Sequence, residues 1–147
     1  VNLSVVDGPD VVFVERLEST TGLRFLGHSG RRFPAHCTSS GKVIAAFNPQ
    51  AYAARVAAGF PPRVGRTVRT LADWDRVIEA TRKDGYAAST NETFEGASSV
   101  AVPVIVNRVA VAALSFFGPT ELVAPKVERL LPLLVAGSRR IAIAQGG

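Results

Sequence analysis

The chain has 147 residues, 47% of them hydrophobic and 20% charged, which suits one domain with a packed core and excludes a disordered segment. A single cysteine, Cys37, excludes an intrachain disulfide and a cysteine zinc cluster, and no apolar run approaches the roughly 18 residues needed to cross a membrane. The formal net charge of +5 suits either nucleic acid or an anionic small molecule as partner.

The placement of the basic residues argues against nucleic acid. Arg31-Arg32, Arg63, Arg66, Arg69, Arg82-Lys83 and Arg139-Arg140 fall on different predicted elements, and Tyr52 and Tyr86 stand alone. No stripe of cations interleaved with stacking rings results. With only His28 and His36 beside Cys37, a metal site is not expected. The opening Val1-Asn2-Leu3-Ser4 carries no Met and no signal peptide, so the expected setting is a larger cytoplasmic protein cut at a domain edge.

In chain order, residues 3–6 and 11–17 read as strands separated by Asp7-Gly8-Pro9-Asp10, which is turn chemistry. Residues 23–26 suggest a third strand, and 27–32 a polar, glycine-bearing loop. Thr38 opens a helix through Phe47; Asn48 and Pro49 restart it as N-cap and first helical residue. Gly59 and Pro61-Pro62 end it. Residues 70–85 form the clearest helix, with Leu71, Trp74, Val77, Ile78 and Thr81 on one face and Gly85 as stop.

Residues 86–89 read as a strand. Residues 100–106 and 109–117 read as a hairpin turning at Asn107-Arg108, where Arg is a poor second turn residue. Pro103 implies an edge or a bulge. Residues 125–144 are helical with a broad apolar stripe facing the sheet, and Pro132 predicts a kink. Leu133, Val135 and Ile143 are left over for a subunit contact. Strands in hairpins with helices inserted between them give an antiparallel α+β fold.

The informative stretch runs from Phe33 to Lys42. After the N-cap Thr38 come Ser39, Ser40 and Gly41, all small, whose amides and helix dipole suit a carboxylate or phosphate. An ordinary polar helix start accounts for the same residues. The glycine run of a P-loop is absent. Ser89, Thr90, Asn91, Glu92, Ser98, Ser99 and Ser115 supply further polar groups, and a buried strand hydroxyl needs a ligand, a carbonyl or a water as partner.

The segment Pro34-Ala35-His36-Cys37-Thr38-Ser39-Ser40-Gly41-Lys42-Val43-Ile44-Ala45-Ala46 resembles the P-L-H-x-T-A-x-G-K-A-x-L-A signature of the C-terminal domain of IclR-type transcription regulators. Arg82-Lys83-Asp84-Gly85-Tyr86-Ala87, Glu92 with Gly96 and Val100-Ala101-Val102-Pro103-Val104, and Ala112 to Pro119 resemble further family segments in the same order. The resemblance covers nearly the whole chain. It implies a GAF-like fold, an antiparallel sheet flanked by helices with a long C-terminal helix, and a domain that binds a small organic acid without cofactor or catalysis. It further implies a homodimer or homotetramer, with operator DNA contacted only through an N-terminal winged helix-turn-helix domain for which this chain has no residues.

Carried over residue by residue, the resemblance makes Ser39 and Ser40 the amides that hold an effector carboxylate. Ser89, Ser99 and Ser115 orient it, and Ala97, Phe117 and Val102 line its apolar body. Ser89 stands where relatives can place Asp, Ser99 where they can place Cys, and Phe117 replaces a second serine. The less polar pocket predicts a larger or aromatic carboxylate rather than a small oxo-acid, with Arg31, Arg32 and His28 assisting by charge. Effector binding is expected to order the loops 27–32 and 90–96. Two other readings stand beside this one. A free-standing GAF-like signalling module would share fold and pocket. A hydrolase would need Cys37 with His36, or Ser98 or Ser99, and finds no orienting carboxylate in sequence.

Overall fold

Turn chemistry at Gly8-Pro9 folds the first two strands back on each other, and the rest of the sheet grows from that hairpin. In the computed structural model, residues 1–16, 30–65 and 67–146 are described. The strand expected at 23–26, residues 27–29 of the expected loop with His28, and Arg66 lie outside the described residues. Six strands are β1 (Asn2–Asp7), β2 (Asp10–Arg16), β3 (Arg32–Pro34), β4 (Ala87–Thr90), β5 (Ala97–Val106) and β6 (Val109–Pro119). Their order is β3-β2-β1-β6-β5-β4, every neighbouring pair antiparallel. β3 was not expected. Phe33 pairs with Val11 there, and the rings of Phe33 and Phe13 lie 5.3 Å apart.

The helices are α1 (Ser39–Ala46), α2 (Pro49–Ala58), α3 (Leu71–Asp84), the short α4 (Thr120–Val123) and α5 (Val127–Ala144). Caps sit where the sequence places them. Thr38, Asn48 and Thr70 accept from the amides of Gly41, Ala51 and Asp73, and Gly85 closes α3 at φ +79°. Asn107 and Arg108 both take positive φ, the type I′ signature, so the hairpin register overrides the poor fit of Arg. β4 ends opposite Ala101, so β5 is unpaired on that side by Pro103, and a register shift follows at Val104/Ile105. The last helix starts later than expected, after α4 and a 3-10 turn at Ala124–Lys126. It continues through exposed Pro132 as one element.

Strand parity sorts the core into two layers. On the outer face Val100, Val102 and Leu114 pack under Leu134 of α5. On the inner face Val11, Phe13, Phe33, Ala101 and Ala113 meet Val43 and Ile44 of α1. Behind α1, Ala45 and Ala46 rest on Trp74 and Ile78 of α3. Helix α1 is therefore sandwiched between sheet and helix, which explains why all eight of its residues are buried.

Candidate functional site

Helix α1 begins against the inner face. Its preceding 3-10 turn (Ala35–Cys37) is pressed onto it, because a Cβ at Gly41 would stand 2.2 Å from the Ala35 carbonyl oxygen. Gly41 is thus small for packing against backbone, not for ligand approach. Thr38 Oγ1 accepts from Gly41 N at 2.8 Å, and Thr38 O accepts from Lys42 N. The two remaining amides of the turn, those of Ser39 and Ser40, find no acceptor among the described residues. Both residues are buried, 1% and 2% exposed.

The hydroxyls of Ser39 and Ser99 meet at 2.7 Å, joining the helix start to β5. Ser99 lies opposite Ser89 on β4 and Phe117 on β6, so these three form one row across the inner face. One row along, Ser115 lies opposite Ala101 and Asn2. Ala97 lies one row the other way, opposite Pro119. Ser40 follows Ser39 in α1, Ser39 reaches Ser99 through its hydroxyl, and Ser89, Ala97, Ser99, Ser115 and Phe117 share the inner face. Val102 does not: odd and even residues of β5 face opposite ways, and it packs beneath α5.

Aromatic rings edge this region. Phe117 meets Phe94 at 6.3 Å, and Phe94 meets Phe33 at 5.8 Å. The guanidinium of Arg31 lies 5.2 Å and 5.6 Å from the Phe33 and Phe94 centroids, and that of Arg63 5.2 Å and 4.8 Å. Two cations therefore share one ring pair, and neither forms an ion pair among the described residues. Arg32, also expected to assist, is engaged by Asp7 and Asp10 instead. Sequence reasoning missed Arg63, Phe94 and Phe33. The first two lie in loops, where no periodicity announces which side chain turns inward.

Lys42 is spoken for as well. Its ammonium pairs with Glu92, the side chains being 4% and 11% exposed. The segment after β4 is anchored by protein contacts alone: Thr67 Oγ1 donates to Glu92 O at 2.8 Å, Arg63 Nε to Thr93 O at 2.8 Å, and Thr93 Oγ1 to Cys37 O. Two of these three bonds are donated to the loop by Thr67 and Arg63, and one by its own Thr93.

Nucleophilic chemistry finds no support in the geometry. His36 and Cys37 share the 3-10 turn rather than a strand, which brings Cys37 Sγ within 3.9 Å of His36 Nε2. That nitrogen lies 2.8 Å from the Pro61 carbonyl oxygen and so donates to it, leaving no base to face the thiol. Burial pushes the Cys37 thiol up to about 11, the reverse of activation. Among the described residues the Ser99 hydroxyl meets only that of Ser39, and Ser98 meets Thr90 and Thr120 on the other side of the strand.

Comparison with known proteins places this arrangement in a family. The family model for the bacterial transcriptional regulator IclR C-terminal region matches residues 1–143. A glycerol operon regulatory protein of Streptomyces coelicolor is 33% identical over 145 residues, covering 98% of this chain and 57% of that protein. The inducer-binding domain of a double mutant of the PobR transcription factor from Acinetobacter, in complex with 3-hydroxybenzoic acid, superposes with a TM-score of 0.84 at 26% identity, covering 96% of this chain and 86% of that one. An IclR homolog from Microbacterium hydrocarbonoxydans, complexed with 4-hydroxybenzoate, gives a TM-score of 0.79 at 28% identity, covering 97% of this chain and 58% of that one. The chain spans about half the length of the curated relatives it matches. These relatives are regulators of transcription, not enzymes, and the chain belongs to the IclR family of bacterial transcriptional regulators, corresponding to its C-terminal, effector-binding domain.

Proposed function

We propose that this domain senses a small organic acid, an aromatic carboxylate, between the start of α1 and the inner face of the sheet. The carboxylate sits on the amides of Ser39 and Ser40, where the helix dipole adds to the hydrogen bonds. The hydroxyls of Ser89, Ser99 and Ser115 orient it. The ring lies beside Ala97, Phe117 and Phe94, and Arg31 and Arg63 attract the anion to the mouth. Binding shifts a homodimer or homotetramer between two pre-existing arrangements and so controls operator binding by an N-terminal winged helix-turn-helix domain.

The observation that carries this reading is the pair of Ser39 and Ser40 amides that find no acceptor among the described residues, in buried residues beside a hydroxyl row and an aromatic edge. Two structural neighbours in complex with aromatic acids support the ligand class. Benzoate and the hydroxybenzoates should raise the melting temperature, since a ligand at 100 times its Kd adds about 2.7 kcal/mol. Ser39→Leu places a branched side chain over the amides and should abolish that shift. Unchanged affinity by calorimetry in a folded Ser39→Leu variant refutes the placement.

A further inference from the structure

His36 is 0% exposed, and its Nδ1 has no hydrogen-bond partner among the described residues. Folded proteins keep few such atoms, and each one asks for a reason. Here the other ring nitrogen supplies it. Nε2 donates to the Pro61 carbonyl oxygen at 2.8 Å, so the neutral ring carries its proton there and Nδ1 is bare. That bond joins two segments of the site. His36 belongs to the 3-10 turn that delivers Thr38, Ser39 and Ser40. Pro61 stands two residues before Arg63, whose guanidinium lies over Phe33 and Phe94 and whose Nε donates to Thr93 O. Thr67 Oγ1 holds the far end of the same loop through the amides of Arg63 and Val64.

A second proton on this ring has nowhere to go. On Nδ1 it would find no acceptor, and the charge would lie beside the Phe60 ring, 5.8 Å away. Arg55 of α2 and Lys42 of α1 repel a charge there, while Asp10 at the start of β2 attracts it. Lys42 is itself paired with Glu92, and Arg55 lies 3.7 Å from Asp10. The Cys37 thiol, 3.9 Å from Nε2, is neutral. Burial leads, and with the two cations it holds the His36 pKa below its ordinary 6.5 against the Pro61 bond and Asp10. The imidazolium therefore belongs in water, and a ring that leaves for water gives up its bond to Pro61. Pro61 is exposed, so its carbonyl can take a water in exchange.

We infer that His36 is a positioning residue for effector binding, a latch that holds the Arg63 loop to the start of α1 at neutral pH and releases it in mild acid. This rests on the proposed carboxylate seat at Ser39 and Ser40. Proton uptake and effector binding then oppose each other, because a ligand that needs the latched form also favours the neutral ring. The release is local, since Thr67 and Thr93 keep their hold on the loop. The fold also carries a reporter. Phe60 packs against both His36 and Trp74, at 5.8 Å and 5.9 Å, and Trp74 is the single tryptophan of the chain.

The test follows 4-hydroxybenzoate affinity by calorimetry, and Trp74 emission without ligand, from pH 7.5 to pH 5.5 in the parent, His36→Gln and His36→Phe. A carboxylate that titrates near about pH 4.3 stays ionised over this range. In the parent the affinity should fall about threefold or more toward pH 5.5, with a step in Trp74 emission over the same interval. His36→Phe keeps a ring beside Phe60 but cannot donate, so it should bind about fivefold more weakly at pH 7.5 and lose nothing further in acid. The Gln amide can donate to Pro61 O and does not titrate. His36→Gln should therefore recover the affinity lost in His36→Phe and stay flat with pH. His28 is unchanged in all three proteins, so a step that persists in the variants is not that of His36. Three results overturn the inference: a flat affinity in the parent, an acid decline shared by His36→Gln, or His36→Phe binding as the parent does. If nothing binds saturably while the emission step is present in the parent and lost in His36→Gln, the carboxylate seat fails and the latch stands. If neither binding nor the step is found, both fail.

Discussion

Gly41→Ala offers a direct check on how the site is built. The added Cβ would lie 2.2 Å from Ala35 O, 2.4 Å from its Cα and 2.6 Å from its carbonyl carbon. All three are backbone atoms of the turn that precedes α1, so no side chain can swing aside. Overpacking of this kind costs about 3 kcal/mol, the upper part of the usual range. Against it stands the higher helix propensity of Ala, about 1 kcal/mol in favour. The clash wins, and a net loss of about 2 kcal/mol is a sizeable part of a domain's typical stability. At about 2–4 °C per kcal/mol for a domain of this size, calorimetric melting should fall by about 4–8 °C. The retreat of α1 from the turn also strains the Ser39–Ser99 contact at 2.7 Å, so binding of an aromatic acid should weaken in parallel. A variant that melts at or above the parent temperature refutes the packing argument. It would return Gly41 to the role of a residue kept small for a ligand.

Lys42→Met leaves the buried Glu92 carboxylate without its cation and should cost about 3–5 kcal/mol in urea unfolding; adding Glu92→Leu should recover most of it. Cys37, with its thiol raised to about 11, should resist a thiol-reactive disulfide reagent at pH 8 in the folded domain and react at once in denaturant. Burial lowers the His36 pKa below its ordinary 6.5, so the unfolded chain takes up a proton that the folded domain refuses. The stability this contributes is complete above about pH 6.5 and declines as the pH falls through that value, so acid unfolding of His36→Phe should show a shallower slope there.

Much of the fold was legible because the signals were local. Thr38, Asn48 with Pro49, Thr70 and Gly85 announce helix ends by cap chemistry that needs no tertiary partner. The helical period from Leu71 to Thr81 likewise named Trp74 and Ile78 as core. β3 was hidden for the opposite reason. Three residues at Arg32–Pro34 are too few for a period, and what makes them a strand is Val11 across the ladder. The start of α5 was misplaced because Pro125 suits a first helical turn; the chain sets it inside the 3-10 turn Ala124–Lys126, with α4 before that turn and α5 after it.

The site was legible only as far as parity could be counted. Ser89, Ser99, Ser115 and Phe117 fall on one face because β4, β5 and β6 pair without a shift across those residues. Val102 was placed among them by its nearness in sequence, yet an even residue on β5 belongs under α5. Asn2 and Ser4 carried a sequence signal that went unused, since both alternate with Leu3 and Val5 along β1. A polar residue at an inward position is a cost unless something meets it. Arg63 and Phe94 had no comparable signal, for a loop residue acquires its direction only from the contacts that hold the loop. In this fold those contacts are Thr93 to Cys37, Arg63 to Thr93 and Lys42 to Glu92, which fasten the loop to the very turn that presents Ser39 and Ser40. The same contacts tie the aromatic edge to the start of α1, so a displacement of one is passed to the other.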